Sequence, residues 1–244
     1  MFKKYYTLLL FVPLFALVSC AEKTQTNTSA VALNGDVLTA EKQAALTPEA
    51  ILASFKEGNE RYVNNNHTPK DFKAQIAATV KGQYPEAVVL SCIDSRVPVE
   101  HVFDKGVGDI FVARGAGNTV KPDILGSIEY GAAVAGSKLI VVMGHEACGA
   151  VKAAIDKADL SDNADVLLGR VQPAIDAVKG YDGKRTSGNT GFVDDVVKTN
   201  VSSTIEEMLL ESPVLKSMKE EGKIKIVGAY YDLDTGKVTF MDSK

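Results

Sequence analysis

The sequence predicts an α/β fold: a mostly parallel central β-sheet flanked by helices, with an antiparallel edge strand. Three observations carry this. Short Val- and Ile-rich runs recur at 87–91, 110–113, 139–143 and 223–230, each the length of a buried strand. The segments between them place apolar residues at helical spacing, and strand–helix alternation of this kind builds a parallel sheet. Asp234-Thr235-Gly236 then joins the fourth run to Val238–Phe240 by a hairpin turn, which makes the last strand antiparallel. A length of 244 residues, with 45% hydrophobic and 24% charged residues, suits one large soluble domain. The formal net charge of -4 gives a nucleic-acid partner no electrostatic support, and none is expected.

Taken in order, the chain begins with a targeting pattern. Lys3 and Lys4 form a basic start, and Leu8 to Val18 holds no charged or amide side chain. The apolar run falls short of the ~20 residues of a membrane span, so 1–20 reads as a secretory signal. Leu17-Val18-Ser19-Cys20 resembles the bacterial lipobox, in which the cysteine is lipidated and becomes the mature N-terminus. That resemblance implies an exported lipoprotein, periplasmic or at the cell surface, held to the membrane by its lipid anchor alone. Ala21, where Asp would favour retention at the inner membrane, implies the outer membrane. A plain signal peptide with an incidental cysteine is the alternative. Residues 21–45, rich in Thr, Asn, Gln and Ser at first, read as a flexible tether, and the folded domain is expected from 46 to 244.

Thr47-Pro48-Glu49 starts the first domain helix: a capping hydroxyl, a proline at the first helical position and a carboxylate at the positive end. Its stripe of Ile51, Leu52, Phe55 and Tyr62 runs to about Asn64. A second helix is expected over Asp71–Thr79, and a short helix or turn at Pro98–Val99. Arg114-Gly115-Ala116-Gly117-Asn118 is a glycine-rich loop after the second strand. Helices follow over Asp123–Ala135, from about Cys148, over Ala164–Val178 with Pro173 able to split it, over Phe192–Leu210 and from Pro213.

The chemistry gathers at two strand ends. Val88–Ser91 runs into Cys92-Ile93-Asp94-Ser95-Arg96, and Leu139–Met143 into Gly144-His145-Glu146-Ala147-Cys148-Gly149. Ligands of open α/β sheets bind outside the carboxyl ends of strands. Three readings compete for Cys92, His145 and Cys148. Redox chemistry would call for a Cys-x-x-Cys pair, and a disulfide leaves His145 unexplained. A buried core position covers Cys92 but not a histidine and a cysteine just past a strand end. A metal site accounts for all three, because two thiolates and an imidazole suit zinc and leave a fourth position open, the mark of a catalytic site. Asp94 can reach that open side, and Arg96 can hold it through a bidentate pair. A structural salt bridge is the plainer reading of Asp94 and Arg96.

These motifs resemble the C-x-D-S-R and G-H-x-x-C-G patterns of the β-class carbonic anhydrases. Gly108-Asp109-Ile110-Phe111-Val112, Ala116-Gly117-Asn118, Gly126-Ser127-Ile128-Glu129-Tyr130 and Lys56-Glu57-Gly58-Asn59-Glu60-Arg61-Tyr62 extend the likeness over about 46–240. The resemblance implies one Zn²⁺ per chain on Cys92, His145 and Cys148, with Asp94 and Arg96 as the catalytic pair. Ser95, Gly117 and Gly149 are candidates for the substrate pocket. It further implies reversible hydration of CO₂ to bicarbonate and a proton, in a homodimer or a larger even-numbered homo-oligomer. Allosteric relatives use a tryptophan in a bicarbonate pocket; this chain has no Trp, which favours an open site. Two alternatives remain at the level of sequence: hydrolysis of carbonyl sulfide or carbon disulfide on the same zinc site, and a zinc-binding surface lipoprotein without catalysis.

Overall fold

The computed structural model describes Met1 and residues 33–241; the signal and Cys20 lie outside the described residues. The sheet has five strands, β1 (Ala87–Ser91), β2 (Ile110–Arg114), β3 (Leu139–His145), β4 (Lys225–Tyr231) and β5 (Val238–Met241), in the order β2-β1-β3-β4-β5. The first four are parallel, and β5 pairs antiparallel with β4 from Tyr231↔Val238 to Gly228↔Met241. The predicted mixed sheet and antiparallel edge are therefore present. β1 and β3 lie at the centre and are buried along their whole length, which is why they read as unbroken apolar runs rather than alternating ones.

Helices α1 (Ala40–Ala45), α2 (Pro48–Val63) and α3 (Phe72–Thr79) precede the sheet, and α4 (Val99–Val102) follows β1. Helix α5 (Pro122–Glu129) leads to β3, then come α6 (Gly149–Ile155), α7 (Asp162–Gly169), α8 (Gln172–Ala177), α9 (Thr190–Glu211) and α10 (Pro213–Glu220). One face of the sheet packs Val89, Val141 and Val227 against Ile51 and Phe55 of α2. The other packs Val88, Leu90, Ile140 and Val142 against Ile128, Val201, Met208 and Leu215. Helix α9 comes very close to the sheet. A Cβ built on Gly144 would lie 2.7 Å from Val197 and 2.9 Å from Val201, and one on Gly228 would lie 2.8 Å from Val201. Only glycine in both strands admits the helix at this distance.

Three local expectations change. Residues 40–45, placed in the tether, form a helix: Thr39 caps it, Gln43 Nε2 donates to the carbonyls of Pro85 and Ala135, and Lys138 Nζ donates to those of Ala44 and Leu46. No apolar stripe announced that helix, because its attachments are polar. The helix expected over Asp123–Ala135 ends at Glu129 and continues as a wider turn over Tyr130–Val134, where Ala135 N donates five residues back to Tyr130 O. Ala164–Val178 is two helices, α7 and α8, with Pro173 in the first turn of the second.

An ion cluster ties the segment after α2 to the end of α4. The fully buried Asp104 side chain accepts from Arg61 Nε at 2.6 Å and Thr68 Oγ1 at 2.7 Å, and pairs with Lys70. Burial pushes its carboxyl up, but the Lys70, Arg61 and Thr68 contacts outweigh this and hold it below the usual range. Asp104 has φ 51°, which asparagine tolerates, so Asp104→Asn isolates the charge. The variant is expected to lose about 3 kcal/mol at neutral pH, since two cations lose their counterion. With a depressed folded pKa, the wild-type advantage is complete above the unfolded value of about 3.9 and is lost progressively as pH falls from there through the much lower folded value. Denaturant titrations of both proteins from pH 7 to 3 should therefore show a constant gap down to about pH 4 that begins to narrow below it; a gap that does not narrow at the acid end would show that charge is not what Asp104 contributes.

Candidate metal centre

The register of the two central strands builds the site. Ser91 of β1 pairs with Met143 of β3, so Cys92 leaves the sheet beside the end of β3, where His145 is the last residue. A turn with Ala147 at φ 51° then returns Cys148 to the same point as the cap of α6. All three side chains are buried, and their ligating atoms lie within 4.8 Å of one another. This is the one such grouping of His, Cys, Asp and Glu among the described residues.

Each donor is aimed as a metal requires. His145 Nδ1 lies 2.9 Å from the carbonyl of Glu146, which makes it the protonated nitrogen and leaves the Nε2 lone pair free. Nε2 is buried and has no hydrogen-bond partner; an orphaned ring nitrogen beside two cysteines fits a metal ligand. The Cys92 and Cys148 sulfurs are 4.0 Å apart. The contact with Cys148 holds the Cys92 thiol well below its usual range, while the same contact and burial push Cys148 up. A divalent cation removes that conflict, since both can then ionise. The donor set fits zinc: two thiolates, one imidazole and a fourth side toward Asp94.

Asp94 Oδ2 lies 3.7 Å from His145 Nε2. Arg96 holds the carboxylate from the far side, with Nε donating to Oδ1 at 2.9 Å, Nη2 to Oδ2 at 2.7 Å and the backbone N–H to Oδ1 at 2.9 Å. These bonds keep the Asp94 carboxyl well below the ordinary carboxylate range. Asp94 is 16% exposed and Arg96 56%, so the pair stands at the mouth of the site. Ser95 and Gly149 are exposed, and a Cβ on Gly149 would meet nothing within 4 Å. Gly117 is buried, with its N–H directed to Cys92 Sγ at 3.4 Å.

Two side chains to which the sequence assigned no role at the site shape the centre. Arg114, the last residue of β2, crosses the end of the sheet and donates to the carbonyls of Cys92 at 3.0 Å, Asp94 at 3.3 Å and Val97. Its guanidinium thus fastens the loop that carries one cysteine and the Asp–Arg pair. Asn200 of α9 donates to Gly117 O at 2.8 Å. The arginine had a visible signal, a charge at the end of an apolar strand; the asparagine had one in an amide on an apolar helix face.

The family model described as carbonic anhydrase matches residues 87–238. The chain is 37% identical over 199 residues to "Carbonic anhydrase 2" of Mycobacterium tuberculosis, covering 80% of this chain and 93% of that one. It is 35% identical to "Carbonic anhydrase" of Mycolicibacterium smegmatis, covering 78% and 92%. Among solved structures it is similar to the β-carbonic anhydrase CafA of Aspergillus fumigatus, with TM-score 0.60, 25% identity and coverage of 80% and 91%. A tetrameric β-carbonic anhydrase of Sordaria macrospora shares the fold, with TM-score 0.60, 23% identity and coverage of 79% and 95%.

Proposed function

The chain belongs to the β class of the carbonic anhydrases, and from that premise we infer that it hydrates CO₂ reversibly to bicarbonate and a proton on one Zn²⁺ per chain. The observation that carries this is the convergence of Cys92, His145 and Cys148 around a buried, unpartnered Nε2. Zinc held there supplies Lewis acidity, which makes water a competent nucleophile near neutral pH.

The chain's own residues do the rest. Asp94 is the catalytic acceptor: its carboxylate takes a hydrogen bond from the attacking oxygen and leaves that oxygen's lone pair for the carbon of CO₂. Arg96 keeps Asp94 ionised and directed, and by holding both carboxylate oxygens it stops Asp94 from drifting into the open fourth position. Ser95 and Gly149 border the substrate's approach; the Gly117 N–H supports Cys92. Stopped-flow CO₂ hydration in an indicator buffer, on protein with one zinc per chain, is expected to show rates far above buffer. Zinc protein that leaves CO₂ untouched but hydrolyses carbonyl sulfide would move the assignment to that reaction, and zinc protein inert to both would make it a binding protein.

Two further readings concern the chain's setting. A homodimer or larger even-numbered assembly is supported by the tetrameric relative; light scattering at the mass of a single chain, 26.0 kDa, would remove it. Export and a lipid anchor on Cys20, at the outer membrane, are supported by the apolar segment ending in Leu17-Val18-Ser19-Cys20 and the following Ala21. More than one acyl chain is what makes such an anchor stable. Cys20→Ala is expected to move the protein from the detergent-rich to the aqueous phase or to leave its signal uncleaved. Unchanged partitioning with normal processing would dismiss the anchor.

A further inference from the structure

Asn200 sits on α9 between Val197 and Val201, facing the sheet, and is 1% exposed. An amide on a buried apolar face is retained only where it is bonded. Its Nδ2 donates to Gly117 O at 2.8 Å, and Gly117 N donates to Cys92 Sγ at 3.4 Å. One residue, Gly117, thus joins the helix to the sulfur through its two backbone groups. The turn that does so is unusual: Gly117 is left-handed at φ 68° and ψ 19°, and Asn118 follows at φ 46°. Two successive left-handed residues, one of them not glycine, persist only where surrounding contacts hold them.

Helix α9 can supply that contact because Gly144 and Gly228 let it settle onto β3 and β4. Gly144 immediately precedes His145, so the close approach that seats Asn200 also seats the histidine ligand.

We propose that Asn200 is a positioning residue of the metal centre: by holding the Gly117 carbonyl it keeps the Gly117 N–H on Cys92 Sγ and so sets the affinity and electronic character of that ligand. The inference rests on the zinc reading above. Partners of this kind outside the ligand set typically account for about 10–100-fold in metal affinity. An N–H bond to sulfur also draws charge from it and lowers the energy of its lone pair.

The test uses the full-length protein and Asn200→Leu, which keeps the branching at Cγ, with a larger volume, and removes the donor. Zinc affinity is measured by competition with a chromophoric chelator. The sulfur-to-metal charge-transfer band is read after replacing zinc with cobalt(II). Thermal unfolding of the metal-free proteins reports the structural part separately. The expected result is zinc bound about 10–100-fold more weakly and a charge-transfer band at lower energy. Where the leucine variant does not fold, Asn200→Ala is read by the same two measurements. A folded variant with wild-type zinc affinity and an unmoved band, whatever its melting temperature, overturns the proposal. Wild-type protein that takes up no zinc overturns the zinc reading, and the proposal with it.

Discussion

Asp94→Asn is expected to lower CO₂ hydration by about 10²–10⁴-fold, the usual loss when a positioned proton-handling group is removed, with zinc still bound. The reason lies in which atoms the substitution changes. Both carboxylate oxygens are engaged by Arg96, and Oδ2 is also the oxygen that lies 3.7 Å from His145 Nε2. Asparagine has one acceptor for that work. If its oxygen stays on Arg96, an NH₂ group faces the attacking oxygen and donates where a hydrogen must be accepted. If it turns the other way, the NH₂ faces the guanidinium and the clamp is lost. Either orientation removes one half of the arrangement. Arg96→Ala should fall in the same range by the complementary route, because Asp94 is then free to close the metal's open side. Lysine is a poor substitute at a bidentate site, so Arg96→Lys should recover little. Stopped-flow rates, with zinc content determined on the same samples, decide the matter. An Asp94→Asn enzyme as fast as wild type would falsify the role given to the pair while leaving the metal centre intact.

Loss of the metal should abolish hydration altogether, and here the chain predicts what happens to the vacated ligands. Cys92→Ser, Cys148→Ser and His145→Ala are each expected to purify with far less than one zinc and with activity at background, since a three-ligand site has no donor to spare. In chelated wild-type protein the two sulfurs are buried neighbours, 4.0 Å apart in the fold. Oxidised glutathione should then convert the pair to a disulfide, two thiols giving one S–S bond while the glutathione disulfide is reduced to two thiols. The readout is the loss of both Cys92 and Cys148 from alkylation, with the zinc-loaded protein protected under the same conditions. Zinc restored after reduction should restore activity. Chelated protein that keeps full hydration would sink the zinc reading. Protected thiols in the metal-free chain would show that the sulfurs do not reach bonding geometry.

How much of this could be read from the chain alone follows from the range of the interactions involved. The strands, the hairpin to Val238 and the two polar strand ends were legible because each is written in contiguous residues. Val88–Ser91 and Leu139–Met143 are apolar throughout since both faces of a central parallel strand are covered, and the residue types at their ends restrict the chemistry to a thiolate–imidazole site with an acid beside it. The Asp94–Arg96 pair was readable for the same reason, its partners being two residues apart. What the sequence could not determine was register and approach. That Ser91 lies level with Met143, so that Cys92 meets His145 and Cys148, depends on how β1 and β3 pair across a separation of 52 positions. The clamp of Arg114 on the Cys92–Val97 loop, the hydrogen bond from Asn200 to a glycine 83 residues away and the polar docking of residues 40–45 are side-chain-to-backbone bonds. Such bonds leave no periodicity in the sequence, because a carbonyl acceptor is the same whichever residue bears it. Only the seating of α9 against Gly144 and Gly228, a matter of packing distance, decided that an ordinary-looking asparagine would stand behind a metal ligand.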